Sequence, residues 1–319
     1  MMGAQGQLTR ACADGIGSRL VYACLPGRPA APGQLEIGLQ KRLFTKKAYR
    51  LALLGHPVGH SVSKPVQEAA LRSVGLDGVY MHLDVPPTAM TKDTISTLFE
   101  SGVDGVNVTI PHKERAHRLC DVRGDSARST GAVNTLWRSG RRIAGENTDV
   151  YGFEKLLEHK KVDVQGERVL VVGAGGAARA VCEALVRKGA KVTVAARHPE
   201  RAARLAKRFG ADWEPLSRSS GRRVDHSLVV NSTPIGTKGT GLETRALPSR
   251  ILAGRGVFVD LVYNPEVTSS MRAARDRGRL SFGGLEMLVR QGEEAFRIWT
   301  GKDPDVARMR LAARRAVRR

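Results

Sequence analysis

The stretch Val169-Leu-Val-Val-Gly173-Ala-Gly175-Gly176-Ala-Ala178 constrains this chain more than any other part of it. A run of apolar, mostly β-branched residues reads as a buried strand and is followed at once by glycines. Gly173 permits a tight turn, and Gly175 lets the backbone approach a pyrophosphate. Ala178 suits the close packing of a helix on a strand. The helix opening there presents unpaired N–H groups and the positive end of its dipole. The backbone of Gly173, Ala174, Gly175, Gly176 and Ala177 is therefore a candidate dinucleotide phosphate site. An ordinary strand-to-helix turn is the alternative, and the position directly after a buried strand weighs against it.

The next strand bears on the choice of dinucleotide. An NAD site wants an acidic residue about 20 positions after the turn to hold the ribose 2′-hydroxyl. Here the tip reads Val194-Ala-Ala196-Arg197-His-Pro-Glu-Arg201, with arginine where the carboxylate would stand. A guanidinium binds a 2′-phosphate with a fork of donors, whereas a carboxylate repels it. Arg201, one helical turn on, offers a second contact. The expected cofactor is NADP. Further strands are expected at 191–194, 228–231 and 257–260 with helices between them, which implies a parallel, doubly wound sheet.

An earlier series has the same alternation. Strands are expected at 49–54, 79–85 and 105–110, helices at 91–101 and after Pro65, and a hairpin at 135–145 turning on Ser139-Gly140. Within it, Asn107-Val-Thr-Ile-Pro-His-Lys113 places a hydroxyl (Thr109) and an amine (Lys113) where a strand should end, because Pro111 has no N–H to give the ladder. Ligands in open α/β sheets sit at that end of the strands. A lysine there can equally be an ordinary surface residue. Ser61 and Ser63 alternate across one residue, so both hydroxyls can face the same side of an extended segment. A serine cap for the helix after Pro65 is the other reading of Ser63.

The chain has 319 residues, a length that suggests two domains. No apolar run is long enough to cross a bilayer, and the N-terminus lacks an apolar signal core. Cys12, Cys24, Cys120 and Cys182 are scattered with no metal spacing, so reduced thiols in the cytoplasm and no metal are expected. The net charge of +21 attracts anions in general. The arginines are spread over many predicted helices and concentrate only at 308–319. Aromatics are few and nucleic-acid signatures are missing, so a solvated basic surface is the preferred reading, with weak polyanion binding by the tail as the alternative.

Several motifs occur together and in order: Gly55-His-Pro-Val-Gly-His-Ser61-Val-Ser63, Asn107 to Lys113, Gly131-Ala-Val-Asn134-Thr135 and Asn147-Thr-Asp149. They continue with the Gly173 turn, Asn231-Ser-Thr233-Pro-Ile-Gly236, Asp260-Leu261-Val-Tyr263-Asn-Pro265 and Gly283-Gly284-Leu-Glu-Met287-Leu-Val-Arg-Gln291. Over about residues 50–319 the chain resembles the shikimate dehydrogenase family. The resemblance implies a two-domain α/β enzyme: an N-terminal α/β substrate domain (49–150, completed by helices at 285–319) facing a Rossmann-type NADP-binding domain (151–284) across a cleft. It implies NADPH-dependent reduction of 3-dehydroshikimate to shikimate. Lys113 would be the general acid, and Asp149 would hydrogen-bond the reacting hydroxyl and pair with Lys113. Desolvation would lower the lysine pKa and pairing would raise it, and the balance is open. Asp149 also suits a helix start. Ser61 and Ser63 would hold the substrate carboxylate. Thr109, Asn134 and Gln291 would bind ring hydroxyls, and Tyr263 would stand on the substrate side or be a core aromatic. Thr233, Leu261 and Gly284 would line the nicotinamide half of the cofactor; Met287 would pack there or belong to the core.

Some positions depart from the family pattern. Lys64 replaces a proline, Val150 a glycine, and Arg290 a small residue; Ala196 and His198 flank Arg197 in place of Asn and Ser/Thr. Residues 1–48 resemble instead the last strand and loop of a type I 3-dehydroquinate dehydratase barrel, with Arg10 and Gln34 at its substrate-touching positions and Ala30 in place of its serine. Without the other strands such a piece cannot close a barrel, so it is expected to be loosely attached. Homodimerisation and association with a 3-dehydroquinate dehydratase are open. The alternatives are a quinate or quinate/shikimate dehydrogenase using NAD or NADP, and a catalytically silent homologue.

Overall fold

The computed structural model describes residues 7–16, 18, 23–25, 34–45, 48–59, 61–219 and 226–318. The chain divides into two compact units, Met1–Asn147 with Gly292–Ala312, and Thr148–Gln291 with Ala313–Arg319. None of the helices among the described residues is long and apolar enough to cross a membrane.

The first unit is built on β1 (Tyr49–Gly55), β2 (Gly78–Asp84), β3 (Gly105–Val108), β4 (Val122–Arg123), β5 (Thr135–Ser139) and β6 (Arg142–Glu146), in the order β2-β1-β3-β5-β6-β4. β2, β1 and β3 are parallel, whereas β5 runs antiparallel to both β3 and β6. The central strand β1 is buried along both faces after Tyr49, which is why Leu51 to Leu54 show no polar alternation. One face contributes Ala52, Leu54, Val79 and Met81 to a core with Ile95, Leu98 and Phe99 of the helix Lys92–Glu100. Thr91 starts that helix by accepting from Thr94 N at 3.1 Å. Gly105 lies so close to Trp299 that a side chain there would collide with the indole, whose Nε1 donates to the Leu136 carbonyl at 3.1 Å.

The second unit carries β7 (Arg168–Val172), β8 (Lys191–Ala196), β9 (Asp212–Pro215), β10 (Leu228–Asn231), β11 (Val257–Asp260) and β12 (Leu280–Gly283). Its order is β12-β11-β10-β7-β8-β9, and every pair is parallel. This is the doubly wound Rossmann order, with the direction of winding reversing between β7 and β10. The period-two rule divides β7 between two cores. Val169 and Val171 pack with Phe153, Val181 and Leu185; Leu170 and Val172 pack with Phe258, Ile251 and Met271.

Four details differ from the sequence expectations. β3 stops at Val108, not at residue 110, because the carbonyl of Thr109 turns to accept from His112 N at 2.9 Å. The helix expected after Pro65 begins at Ser63, since proline fits the first turn, where its missing N–H has no partner to lose. The short strands β4, β9 and β12 carry too few apolar residues to be read from pattern alone. The expectation of a loosely attached N-terminal segment is wrong for its described part. Ala11, Cys12, Leu35 and Leu43 are buried in the same core as Ala52, Leu54, Val79 and Met81. They cover apolar surface of the first sheet, a gain that needs no closed barrel. Arg10 lies in the helix Gln7–Ala11, where its carbonyl accepts from Gln40 Nε2 at 2.7 Å. Ala30 and most of the barrel-like stretch lie outside the described residues.

Candidate functional site

In the first unit the proposed substrate residues cluster around the ends of β1, β3 and β5. Ser61 donates from its hydroxyl to Ser63 Oγ at 3.1 Å, and Ser61 Oγ accepts from Ser63 N at 3.2 Å. The two hydroxyls therefore converge, and neither supplies a side-chain cap at the N-cap position, which is Val62. Lys64 lies 4.0 Å from Glu68, along its own helix. Lys113 is the first residue of the helix Lys113–Leu119 and is half-buried. Before it, His112 is buried and its Nε2 bonds the Val85 carbonyl at 2.7 Å, while the Lys113 carbonyl accepts from Val133 N at 2.9 Å. The position of the lysine is thereby tied on both sides to neighbouring strand ends.

Asn134 is buried, and its Oδ1 accepts from Thr135 Oγ1 at 3.1 Å. Its backbone is held by Asn107, whose Nδ2 donates to the Asn134 carbonyl at 3.2 Å and whose Oδ1 accepts from Tyr80 OH at 2.8 Å. Thr109 donates its N–H to Leu54 O at 2.9 Å, and its methyl fills the space that a side chain on Gly55 would need. Asn147, the first member of the Asn-Thr-Asp motif, is inward-facing. Its Nδ2 donates to Thr130 Oγ1 at 3.0 Å and to Ala132 O at 3.1 Å, bracing the turn before Asn134. Glu146 caps the helix Asp125–Thr130 from outside, accepting from Ala127 N at 2.7 Å, and Gly124 leaves room for its carboxylate. Sequence reading missed these braces, because each polar residue meets its partner only through the sheet.

In the second unit Asp149 is the second residue of the helix Thr148–His159 and is 5% exposed, so the reading as a helix start and the reading as a site residue are compatible. Val150 stands in the core beside Phe153, which explains why a side chain is accepted where the family has glycine. Gln291 donates from Nε2 to the Leu288 carbonyl at 2.8 Å. Arg290, another departure, is held at 3.0 Å by Glu286 along the same helix. Tyr263 is half-buried, and Met287 belongs to the core cluster.

The glycine turn joins β7 to the helix Gly176–Arg187 at the switch point. Gly173 has φ +119°, and a side chain there would collide with the Ser232 hydroxyl at the end of β10. Gly175 is the N-cap, extended and without a side-chain cap, and nothing stands within 4 Å of where its Cβ would be. The helix therefore leaves N–H groups and open space at one place, which fits a pyrophosphate. Ala178 is fully buried beneath it. Ala196 ends β8 in the core, and Arg197 and Arg201 are exposed just beyond. His198 is the N-cap of the helix Pro199–Phe209. Thr233 donates its N–H (3.0 Å) and hydroxyl (2.6 Å) to Asn231 Oδ1. Leu261 N donates to Asn231 O at 2.9 Å, and Gly284 packs on the Leu261 carbonyl too closely for any side chain. Thr233, Leu261 and Gly284 are thus brought together beside the turn's own sheet edge.

Comparisons with known proteins cover parts of both units. Residues 53–136 match the shikimate dehydrogenase substrate binding domain, residues 155–275 the shikimate/quinate 5-dehydrogenase family, and residues 284–314 the shikimate 5'-dehydrogenase C-terminal domain. The chain is 38% identical over 285 residues to the shikimate dehydrogenase (NADP(+)) of Methanothermobacter thermautotrophicus, covering 87% of this chain and 100% of that protein. It is 41% identical over 268 residues to the Thermus thermophilus enzyme of the same name, covering 84% and 98%. A Thermus thermophilus shikimate 5-dehydrogenase solved in complex with NADP(H) and shikimate is 40% identical, with a TM-score of 0.76, covering 84% of this chain and 99% of that one. A shikimate dehydrogenase in complex with NADP+ is 34% identical with a TM-score of 0.78, covering 85% and 96%.

Proposed function

The chain belongs to the shikimate dehydrogenase family, and from that membership we propose that it catalyses the reversible, NADPH-dependent reduction of 3-dehydroshikimate to shikimate. The observation that carries this reading is that the chain is 40% identical to, and spans 99% of, a relative solved with both NADP(H) and shikimate.

Bound NADPH supplies the hydride. The chain's own residues bind, orient and move the proton. Ser61 and Ser63 hold the substrate carboxylate with their converging hydroxyls. Thr109, Asn134 and Gln291 select the ring hydroxyls, since a missing hydroxyl would leave their polar groups unpaired. Lys113 delivers a proton to the carbonyl oxygen as negative charge develops there, and Asp149 orients the same oxygen once it is a hydroxyl. Orientation matters because hydride transfer requires a near-attack distance. Arg197, assisted by Arg201, recognises the 2′-phosphate, and the Gly173–Ala177 backbone takes the pyrophosphate.

The test follows nicotinamide absorbance while purified protein oxidises shikimate or quinate with NADP or NAD. Turnover with shikimate and NADP alone supports the assignments together. Comparable rates with quinate or NAD would replace them by the quinate/shikimate reading, which the changed residues Ala196 and His198 beside Arg197 make worth testing. No turnover with cofactor still bound would favour a silent homologue.

A further inference from the structure

One buried carboxylate ties together the loops that follow β10, β11 and β12. Asp260 ends β11 and is fully buried. Its Oδ1 accepts from Asn231 Nδ2 at 2.9 Å and from Val262 N at 3.1 Å, and its Oδ2 accepts from Thr268 Oγ1 at 2.6 Å. Asn231 is its register partner on β10 and is also fully buried.

From this hub the bonds run outward. Asn231 Oδ1 takes both the N–H and the hydroxyl of Thr233. The Val262 carbonyl accepts from Gly284 N at 3.2 Å, and Gly284 backs onto Leu261. Thr268 Oγ1 accepts from Met271 N at 3.1 Å, starting the helix Ser269–Arg275, and its side chain faces Gly236. Each of the three positions assigned to the nicotinamide half is thus one bond or one contact from a residue that Asp260 holds. A carboxylate is costly to bury, and an apolar residue of similar volume would fill the space at lower cost. Its accepting capacity is what an apolar residue could not supply: ionised, it takes three donors at once, one from the end of β10 and two from the segment that follows β11.

We propose that Asp260 is the positioning residue for the nicotinamide half of the cofactor: it touches neither cofactor nor substrate and acts through Asn231 and Val262 on Thr233, Leu261 and Gly284. This rests on the NADP-dependent reading above. Asparagine in its place keeps the shape but has one acceptor oxygen and adds two donors, so the loops lose their common anchor.

The experiment uses the full chain and two probes, NADPH and 2′,5′-ADP, the latter carrying only the adenosine end. Wild type must first bind NADPH and oxidise shikimate; failure there overturns the functional reading, and this proposal with it. In Asp260→Asn, 2′,5′-ADP affinity is expected to stay within about twofold while NADPH binding weakens roughly tenfold. The value of kcat is expected to fall more than KM for shikimate rises. Thr268→Val and Thr268→Ser decide the matter if Asp260→Asn does not fold. Valine should weaken NADPH but not 2′,5′-ADP, and serine, which keeps the hydroxyl, should restore wild-type binding. Parallel weakening of both probes, no change in either, or serine as defective as valine would each overturn the proposal.

Discussion

The Arg50 guanidinium meets the Asp14 carboxylate at 2.7 Å, and the arginine side chain is 4% exposed. Its Nε also donates to Ala11 O, and its Nη2 to Leu43 O, both at 2.6 Å. An arginine on the first strand of the substrate-binding unit is therefore satisfied by residues that precede that unit's first strand. Its own N–H donates to Asp104 at 2.7 Å, so the same residue also anchors the approach to β3.

Arg50→Ala should destabilise the chain by about 3 kcal/mol, because removing one member leaves a half-buried carboxylate and two carbonyls without their donor. Urea unfolding measures it, alongside kcat of the molecules that remain folded, which should not change. A loss below about 1 kcal/mol would mean that the N-terminal segment is not part of the cooperative unit.

Lys113→Ala should lower kcat by roughly a hundred- to ten-thousandfold with KM for shikimate moved only a few-fold, as expected for a group acting in the transition state. Lys113→Arg separates the two roles of the ammonium, since arginine keeps the charge but does not release its proton. If the arginine variant turned over like wild type, proton delivery by Lys113 would be the wrong assignment.

Arg197→Ser should raise KM for NADP about ten- to a hundredfold and leave KM for NAD nearly unchanged, because only the 2′-phosphate contact is lost. Steady-state kinetics with both dinucleotides reads this directly. An equal rise for the two would show that the exposed guanidinium does something other than recognise the phosphate.

Burial pushes the Cys12 thiol up to about 11 and those of Cys120 and Cys182 up to about 12. The thiolate is the reactive form, so these three should resist iodoacetamide at pH 8 in the native chain and react once it is unfolded. Mass spectrometry after a timed pulse counts the adducts. Rapid native labelling of Cys182, in the helix behind the glycine turn, would contradict its burial.

Burial raises the Asp260 carboxyl to about 6, against an ordinary value of 3.8. The folded state then holds a proton that the unfolded chain has already released. Stability from this group is greatest below the ordinary value and is lost as pH rises through about 6, by roughly 3 kcal/mol in all. Asp260→Asn should therefore gain stability relative to wild type between pH 4 and pH 7. Comparing the two chains cancels the other carboxylates. A constant difference across that range would place the titration elsewhere.

Patterns confined to a dozen or so neighbouring residues are legible in the linear chain. The β7 strand, the Gly173 turn and the helix behind it follow from β-branching, a positive φ and close packing, each a property of a few adjacent residues. The hairpin β5–β6 and the convergence of Ser61 with Ser63 are local in the same sense. The edge strands β4 and β9 are not legible there, because so few apolar residues set no period.

The residues that hold the proposed site together are of another kind. Asn231 and Asp260 stand 29 residues apart, Ala127 and Glu146 19, and Arg50 and Asp14 36. In the linear chain the polar groups of each pair read as solvated, because a polar group in water already has partners. Only when strands pair and water leaves does each group require a specific donor or acceptor, and which one it finds depends on register and layer order. The amino-acid order alone thus accounts for the turn and the chemistry it can carry. The buried bonds that keep Thr233, Leu261 and Gly284 in place, and that fasten the N-terminal segment to the first sheet, arise from folding, because a hydrogen bond in a dry interior is a statement about distance that no single stretch of sequence contains.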